Sequence, residues 1–325
     1  MSQDPPHKKS SELLAKVGRR DVMLGLLGAP AALAMACQSK TPSNPVVTNQ
    51  TSLPRENTMS TSTSSSRMPV LFVGHGSPMN SFLDNEWSQG FADLTKDVPQ
   101  PKAIVVISAH WYLDGSYLTG NEHPETIHDF YGFPKPLYEI QYPAPGSPDL
   151  ARKIRTMLEL SQDSVRTDWG LDHGTWSVLR WMYPDAKVPV LQLSLNRHLS
   201  LQQHFDLGRS LAPLRDEGIL IVGSGNIVHN LRDAISRRRT DTPQTPDWAA
   251  SFDRDVTSIL QQRDSEKLVG DWIKERNGQL SHPTPDHWLP MLYTYAASSE
   301  QDQVSFPIEG FDLGSISMRS VLWKG

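Results

Sequence analysis

Three apolar runs in this chain each deliver a histidine at or just beyond their ends. They are "LFVGHGSPMN" at residues 71–80, "IVVISAHWY" at 104–112 and "ILIVGSGNIVHN" at 219–230. His75, His110 and His229 therefore occupy equivalent points of three strand-like segments. In open α/β sheets ligands bind beyond the carboxyl ends of the strands, so imidazoles far apart in sequence can meet there. Imidazole suits zinc, copper, iron or nickel, and each ligating ring needs its other nitrogen held by an acceptor. Gly74 and Gly76 flank His75, and Gly223 and Gly225 precede His229, permitting close backbone approach. Asn226 and Asn230 add polar partners beside His229.

Two further histidines have chemically useful settings. His173, in "GLDHGTW", stands at a predicted helix start, where the positive end of the helix dipole favours the neutral ring and so a base able to take a proton near pH 7. His287, in "HPTPDHWLP", follows Thr284 and Asp286, which read as helix-entry residues that put the ring on a first turn. His123 and His128 fall in an aromatic-rich stretch as candidate substrate contacts. His282 reads as loop surface, His204 as helix surface, and His7 and His198 as exposed residues.

Other chemistries are poorly served. The single cysteine, Cys37, lies near the amino terminus, which removes a cysteine nucleophile from the folded domain and any disulfide within one chain. There is no Gly-x-Ser-x-Gly elbow, no phosphate-binding Gly-x-x-x-x-Gly-Lys loop and no His-Glu-x-x-His, and "GSGNIV" lacks the last glycine of a dinucleotide fingerprint. A formal net charge of −5 gives no electrostatic footprint for nucleic acid.

The elements that must position the histidines follow from periodicity. "PVLFVG", "AIVVISA", "VPVLQLSL" and "ILIVGSG" are short continuous apolar runs, the pattern of strands covered on both faces. Amphipathic stretches at 84–97, 148–160, 174–183, 199–216, 247–263 and 285–298 read as helices, and "GSISMRSVLW" as a closing strand. The expectation is one α/β domain over residues 68–325, with a central mixed, mostly parallel sheet flanked by helices on both faces. The Pro- and Gly-rich stretch from Gly120 to Pro148 has little periodicity and several aromatics, and is expected to cover a pocket.

Residues 1–37 read as an export signal. Lys8, Lys9, Lys16, Arg19 and Arg20 precede "VMLGLLGAPAALAMA", an uncharged stretch too short for a membrane span. The Arg19-Arg20 pair resembles a twin-arginine signal, with Val22 and Met23 where a Phe-Leu pair is usual. Cys37 in "LAMAC" resembles a lipobox cysteine, although Ala34 replaces the usual Leu; the alternative is a simple cut after Ala36. Residues 38–67, rich in Ser, Thr, Asn and Pro, cannot bury enough surface to offset chain entropy and read as a disordered tether. The expected location is periplasmic or membrane-anchored, with membrane contact only through a lipid at Cys37.

Six stretches, "MPVLFVGHGSPMN", "PKAIVVISAHWY", "TIHDFYGFPKPLYEIQYPAPGSP", "DHGTWSVL", "EGILIVGSGNIVHNL" and "HPTPDHWLPMLY", together resemble the class III extradiol ring-cleavage dioxygenases of the LigB superfamily, within it the 4,5-DOPA extradiol dioxygenase branch. The resemblance covers residues 68–325 and implies one mononuclear non-haem metal, Fe(II) or Zn(II), and cleavage of a catechol ring with O2. It implies His75, His110, His229 and His287 as metal ligands and His173 and His229 as catalytic groups. His128, Tyr131 and Trp111 are the expected substrate contacts, with Phe133 as a further pocket wall and Lys135 as a candidate for a substrate carboxylate. The competing class is a zinc-dependent hydrolase at the same strand-end site, and the third a non-catalytic binding module that has kept the fold.

Overall fold

In the computed structural model, which describes residues 67–237 and 244–325, the four continuous apolar runs form the middle of an eight-stranded sheet. The central strands are β1 (Val70–Gly74), β2 (Ala103–Leu113), β5 (Val190–Asn196) and β6 (Ile219–Gly225). They lie in the spatial order β5-β2-β6-β1 and are all parallel. Short strands β3 (Leu118–Thr119) and β4 (Val165–Arg166) extend the β5 side, with β3 antiparallel to β5. Strands β10 (Ser320–Lys324) and β7 (Gln303–Ile308) close the other edge in antiparallel pairing. A separate two-stranded ribbon joins β8 (Phe311–Asp312) and β9 (Ile316–Ser317).

Alternation along each central strand feeds two cores. Val70, Phe72, Val105, Ile107, Leu191, Leu193 and Ile221 face one, and Leu71, Val73, Ile104, Val106, Leu220 and Val222 face the other. The first is covered by α2 (Pro148–Met157), α4 (Leu201–Leu211), α6 (Asp247–Gln262) and α9 (Leu289–Ala297), through residues such as Ile154, Phe205, Phe252 and Leu292. The second is covered by α1 (Glu86–Asp93), α3 (His173–Met182) and α5 (Leu231–Arg237), through Phe91, Trp176, Leu179 and Ala234. The remaining helices are the short α7 (Ser265–Leu268) and α8 (Arg276–Ser281). The expected α/β domain with helices on both faces is therefore the fold observed.

Departures from the expected elements have local causes. The stretch read as a helix from residue 285 becomes helical only at Leu289, because residues 283–288 form bends and a turn in which Trp288 N and Leu289 N both donate to Pro285 O. The closing strand is split into β9 and β10, with Met318 N turning aside to donate to Gly310 O. The signal and nearly all of the tether, residues 1–66 and Cys37 among them, lie outside the described residues. No helix among the described residues is long and apolar enough to cross a membrane.

Candidate metal centre

Because β1, β2 and β6 run parallel and β6 lies between the other two, their carboxyl ends open on the same side of the sheet. His75 follows the last residue of β1, and its N–H donates to Gly225 O at the end of β6. His110 sits inside β2, where the pairing with β5 jumps from Ile107–Leu193 to Tyr112–Leu195. The extra β2 residues bulge away from β5, a usual device for re-aiming a side chain. His287 arrives from the turn before α9. That segment packs directly on β6: a Cβ at Gly225 would come 2.3 Å from His287 O, and one at Gly223 2.7 Å from Pro290 O. The Gly-Ser-Gly of β6 is thus the space that admits His287, and Asn226 N–H donates to the His287 carbonyl at 3.0 Å.

The three rings converge, with one nitrogen each of His75, His110 and His287 within 4.8 Å of one another. Each ring is held from behind through Nδ1. His75 Nδ1 lies 3.0 Å from Ser224 Oγ, whose own proton goes to Gly174 O at 2.5 Å, so the serine accepts from the ring. His110 Nδ1 faces Asp129 Oδ2 at 3.2 Å, and His287 Nδ1 bonds Asp286 Oδ2 at 2.5 Å. Protons on all three Nδ1 atoms leave three Nε2 lone pairs, a tautomer assignment that follows from the hydrogen-bond network.

One cation would satisfy those lone pairs together. His75 Nε2 and His110 Nε2 are 3.1 Å apart, and His287 Nε2 is buried without a protein partner. Imidazole nitrogens sharing one ion at about 2.1 Å each stand about 3 Å apart when they subtend roughly a right angle, which matches the first pair. A buried nitrogen left unpaired otherwise carries a desolvation cost of about 1–3 kcal/mol. The donor set, all nitrogen with an acceptor behind each ring, fits a divalent iron or zinc ion.

Electrostatics favour the neutral ring at His75 and His287 and the charged one at His110. Burial, then the neighbouring imidazoles, hold the His75 pKa well below its ordinary value. Burial likewise lowers His287 against the opposing pull of Asp286. Burial also acts to lower His110, but Asp129 outweighs it and the net direction is up. The carboxyls of Asp129 and Asp286 are pushed up by burial, yet the imidazoles they face hold both well below the usual carboxylate range.

His173 is the first residue of α3, capped by Asp172, whose side chain accepts from Thr175 N. Burial and then the charge of His110 bring its pKa down to about 4. Its Nδ1 is 3.0 Å from Asp129 Oδ2 but out of line for a hydrogen bond, and its backbone N–H donates to Asp129 Oδ1 at 2.8 Å. The His173 ring lies 3.9 Å from that of His110, centroid to centroid. Asp172 itself is clamped by Ser108 (2.7 Å) and Gln192 (2.6 Å), and burial together with the charge of Asp129 pushes it up to about 6.

Residues 68–316 match the family described as the catalytic LigB subunit of aromatic ring-opening dioxygenase. The chain belongs to the LigB family. It is 46% identical over 262 residues to a protein of Escherichia coli strain K12 named 4,5-DOPA dioxygenase extradiol, covering 79% of this chain and 95% of that one. A Beta vulgaris protein of the same name is 39% identical over 261 residues, or 77% and 94% of the two chains. The crystal structure of an uncharacterized Escherichia coli K12 protein matches with a TM-score of 0.67 at 42% identity, covering 79% of this chain and 99% of that one.

Not every expected residue of this LigB chain joins the cluster. His229 stands outside the three-nitrogen group: its ring is stacked on His287, 3.4 Å away and 5° from parallel. Lone pairs lie in the ring plane, so in this arrangement the His229 nitrogens are directed parallel to those of His287, and the group whose nitrogens meet is His75, His110 and His287. Trp111 is buried and stacks on Trp169, 5.6 Å apart at 4°, instead of joining the rings around His110. Tyr131 is 92% exposed, just before Gly132 at φ +78°, and forms no pocket wall. Its neighbour Phe130 packs edge-on to His173 at 5.5 Å.

His128 donates through Nε2 to Ile140 O at 3.0 Å, which ties two parts of the loop together. Phe133 backs Phe130 at 5.3 Å, and Lys135 is exposed beside Glu139. His204 and His282, expected at the surface, are buried: His204 faces Tyr293 Oη at 3.0 Å, and His282 Nε2 donates to Ile227 O at 2.8 Å. The residues that sequence reasoning missed are Asp129, Asp286 as a ring partner, Ser224 and Phe130. Asp286 carried a signal of adjacency, since it precedes His287, whereas Asp129, Phe130 and Ser224 meet rings distant in sequence.

Proposed function

We propose that this protein is a metal-dependent extradiol dioxygenase, which opens a catechol-type, DOPA-like ring beside its two hydroxyls with incorporation of both atoms of O2. The observation that carries the reading is the convergence of one ring nitrogen each from His75, His110 and His287, each imidazole held from behind through Nδ1, in a chain of the LigB family. His75, His110 and His287 would hold the ion. When bound there, Fe(II) would bring the two hydroxyl oxygens and O2 together and supply an electronic path between them, whereas Zn(II) would supply the first alone.

The protein groups handle orientation and protons. His173, neutral at pH 7, accepts a proton from a substrate hydroxyl, and the Asp129 anion behind it stabilises the imidazolium formed. His173 returns that proton as general acid when the ring opens. His229, also kept neutral by burial and by His287, is the second candidate for proton transfer. The Phe130 edge against His173 limits the position of the aromatic ring and excludes water from that side.

The test is anaerobic loading with Fe(II), then oxygen uptake with a panel of catechols. One O2 consumed per ring and a yellow semialdehyde product support the reading; no uptake, with zinc-dependent ester or amide hydrolysis, would replace it with the hydrolase. For residues 1–37 we further propose export by the twin-arginine route with anchoring at Cys37, which fits insertion of the metal into a folded chain before transport. Lysine at Arg19 and Arg20 should leave the protein in the cytoplasmic fraction.

A further inference from the structure

The aromatic loop and the metal-facing rings meet at one carboxylate. Asp129 Oδ2 lies 3.2 Å from His110 Nδ1 and 3.0 Å from His173 Nδ1, while Oδ1 accepts the His173 backbone N–H at 2.8 Å. One side chain thereby touches the bulge of β2 and the first residue of α3. The loop around it is a packed body. Phe130 sits against Phe133 and Tyr138 at 5.3 and 5.1 Å, Trp176 Nε1 donates to Ile127 O at 2.8 Å, and Tyr142 N donates to Thr126 Oγ1 at 2.9 Å.

We propose that Asp129 is a positioning residue that couples this loop to the metal-facing imidazoles, so that metal occupancy and the order of the aromatic wall reinforce each other. The inference rests on the reading of the rings as a metal centre and not on ring cleavage. The torsion that turns an imidazole is broad, so the direction of His110 Nε2 is set by what meets Nδ1. A metal ion on Nε2 polarises Nδ1–H and strengthens its contact with Asp129. The loop that carries Asp129 is then held more tightly, and by linkage an ordered loop raises metal affinity by the same factor.

The experiment is hydrogen exchange of the full-length protein with and without saturating Co(II), read over residues 126–142. Cobalt should slow exchange there in the wild type. In Asp129→Asn the loop protection at saturation should disappear and Co(II) affinity fall ~10- to 100-fold. Asp286→Asn, which touches a ligand ring but not the loop, should lose affinity and keep the protection. No cobalt-dependent protection in the wild type overturns the proposal without recourse to any variant, so a misfolded Asp129→Asn cannot shelter it. Full protection retained in Asp129→Asn, or equal loss in Asp286→Asn, would also overturn it. None of these readings uses a catechol, so they stand whether or not ring cleavage is found, and a lowered kcat with altered KM in Asp129→Asn would then extend them to turnover.

Discussion

Each metal-facing imidazole is backed by a different acceptor, a neutral serine for His75 and carboxylates for His110 and His287. Two anions one ring away from three imidazole donors would offset the charge of a divalent ion held between them. Replacing Asp286 by Asn should therefore weaken metal binding about 10- to 100-fold, measured by chelator competition, while His287→Ala should abolish stoichiometric binding. Ser224→Ala removes an uncharged partner and should cost less than Asp286→Asn in the same titration. At this scale the ring positions were legible, because histidines after apolar runs are conspicuous and parallel strands bring their ends together. The backing acceptors were not, because a carboxylate beside a histidine in sequence also reads as a turn or cap residue, as Asp286 did. The stacking of His229 on His287 was invisible too, since it depends on the approach angle of two loops.

Elements bring the rings together through close backbone approach. Any side chain at residue 225 meets the His287 carbonyl, a backbone atom that cannot swing aside. Gly225→Ala should destabilise the fold by ~1–3 kcal/mol through overpacking, seen as a lowered Tm, and should also reduce metal content because His287 is displaced. Asp172 ends the loop before α3 and receives Ser108, Gln192 and Thr175 N. Asp172→Ala loses a cap worth about 0.5–2 kcal/mol and leaves the Ser108 and Gln192 donors buried without that partner. The central strands were legible from their continuous apolar runs, and most helices from their periodicity. The start of α9 was misplaced because Pro285 accepts from both Trp288 N and Leu289 N and closes a turn first. The loop from 120 to 148 was recognised as aromatic, but which ring faces the site depends on a turn at Gly132 that sends Tyr131 outward.

The whole domain is tied at its far end by a buried ion pair. Arg215 Nη1 lies 2.7 Å from Asp302 Oδ2, both side chains almost fully buried, and the guanidinium also donates to Met68 O and Ala297 O. Burial pushes the Asp302 carboxyl up, but Arg215 and Ser299 prevail and its folded pKa lies below the ordinary value. A depressed carboxyl contributes stability above its unfolded pKa of about 3.9 and loses it as pH falls through the lower folded value. Asp302→Asn should cost ~3–5 kcal/mol at pH 7, and its deficit relative to the wild type should shrink below about pH 4, measured by urea unfolding at each pH.

At the site, the single claim on which the proposed chemistry depends is that three imidazoles from three separate segments hold one ion. An anomalous difference map from crystals of the Fe(II)-loaded protein tests it directly. The account predicts one peak within bonding distance of Nε2 of His75, His110 and His287, with the His229 ring beside it and unligated. A peak elsewhere in the domain, or one bonded to His229 in place of any of the three, would contradict it.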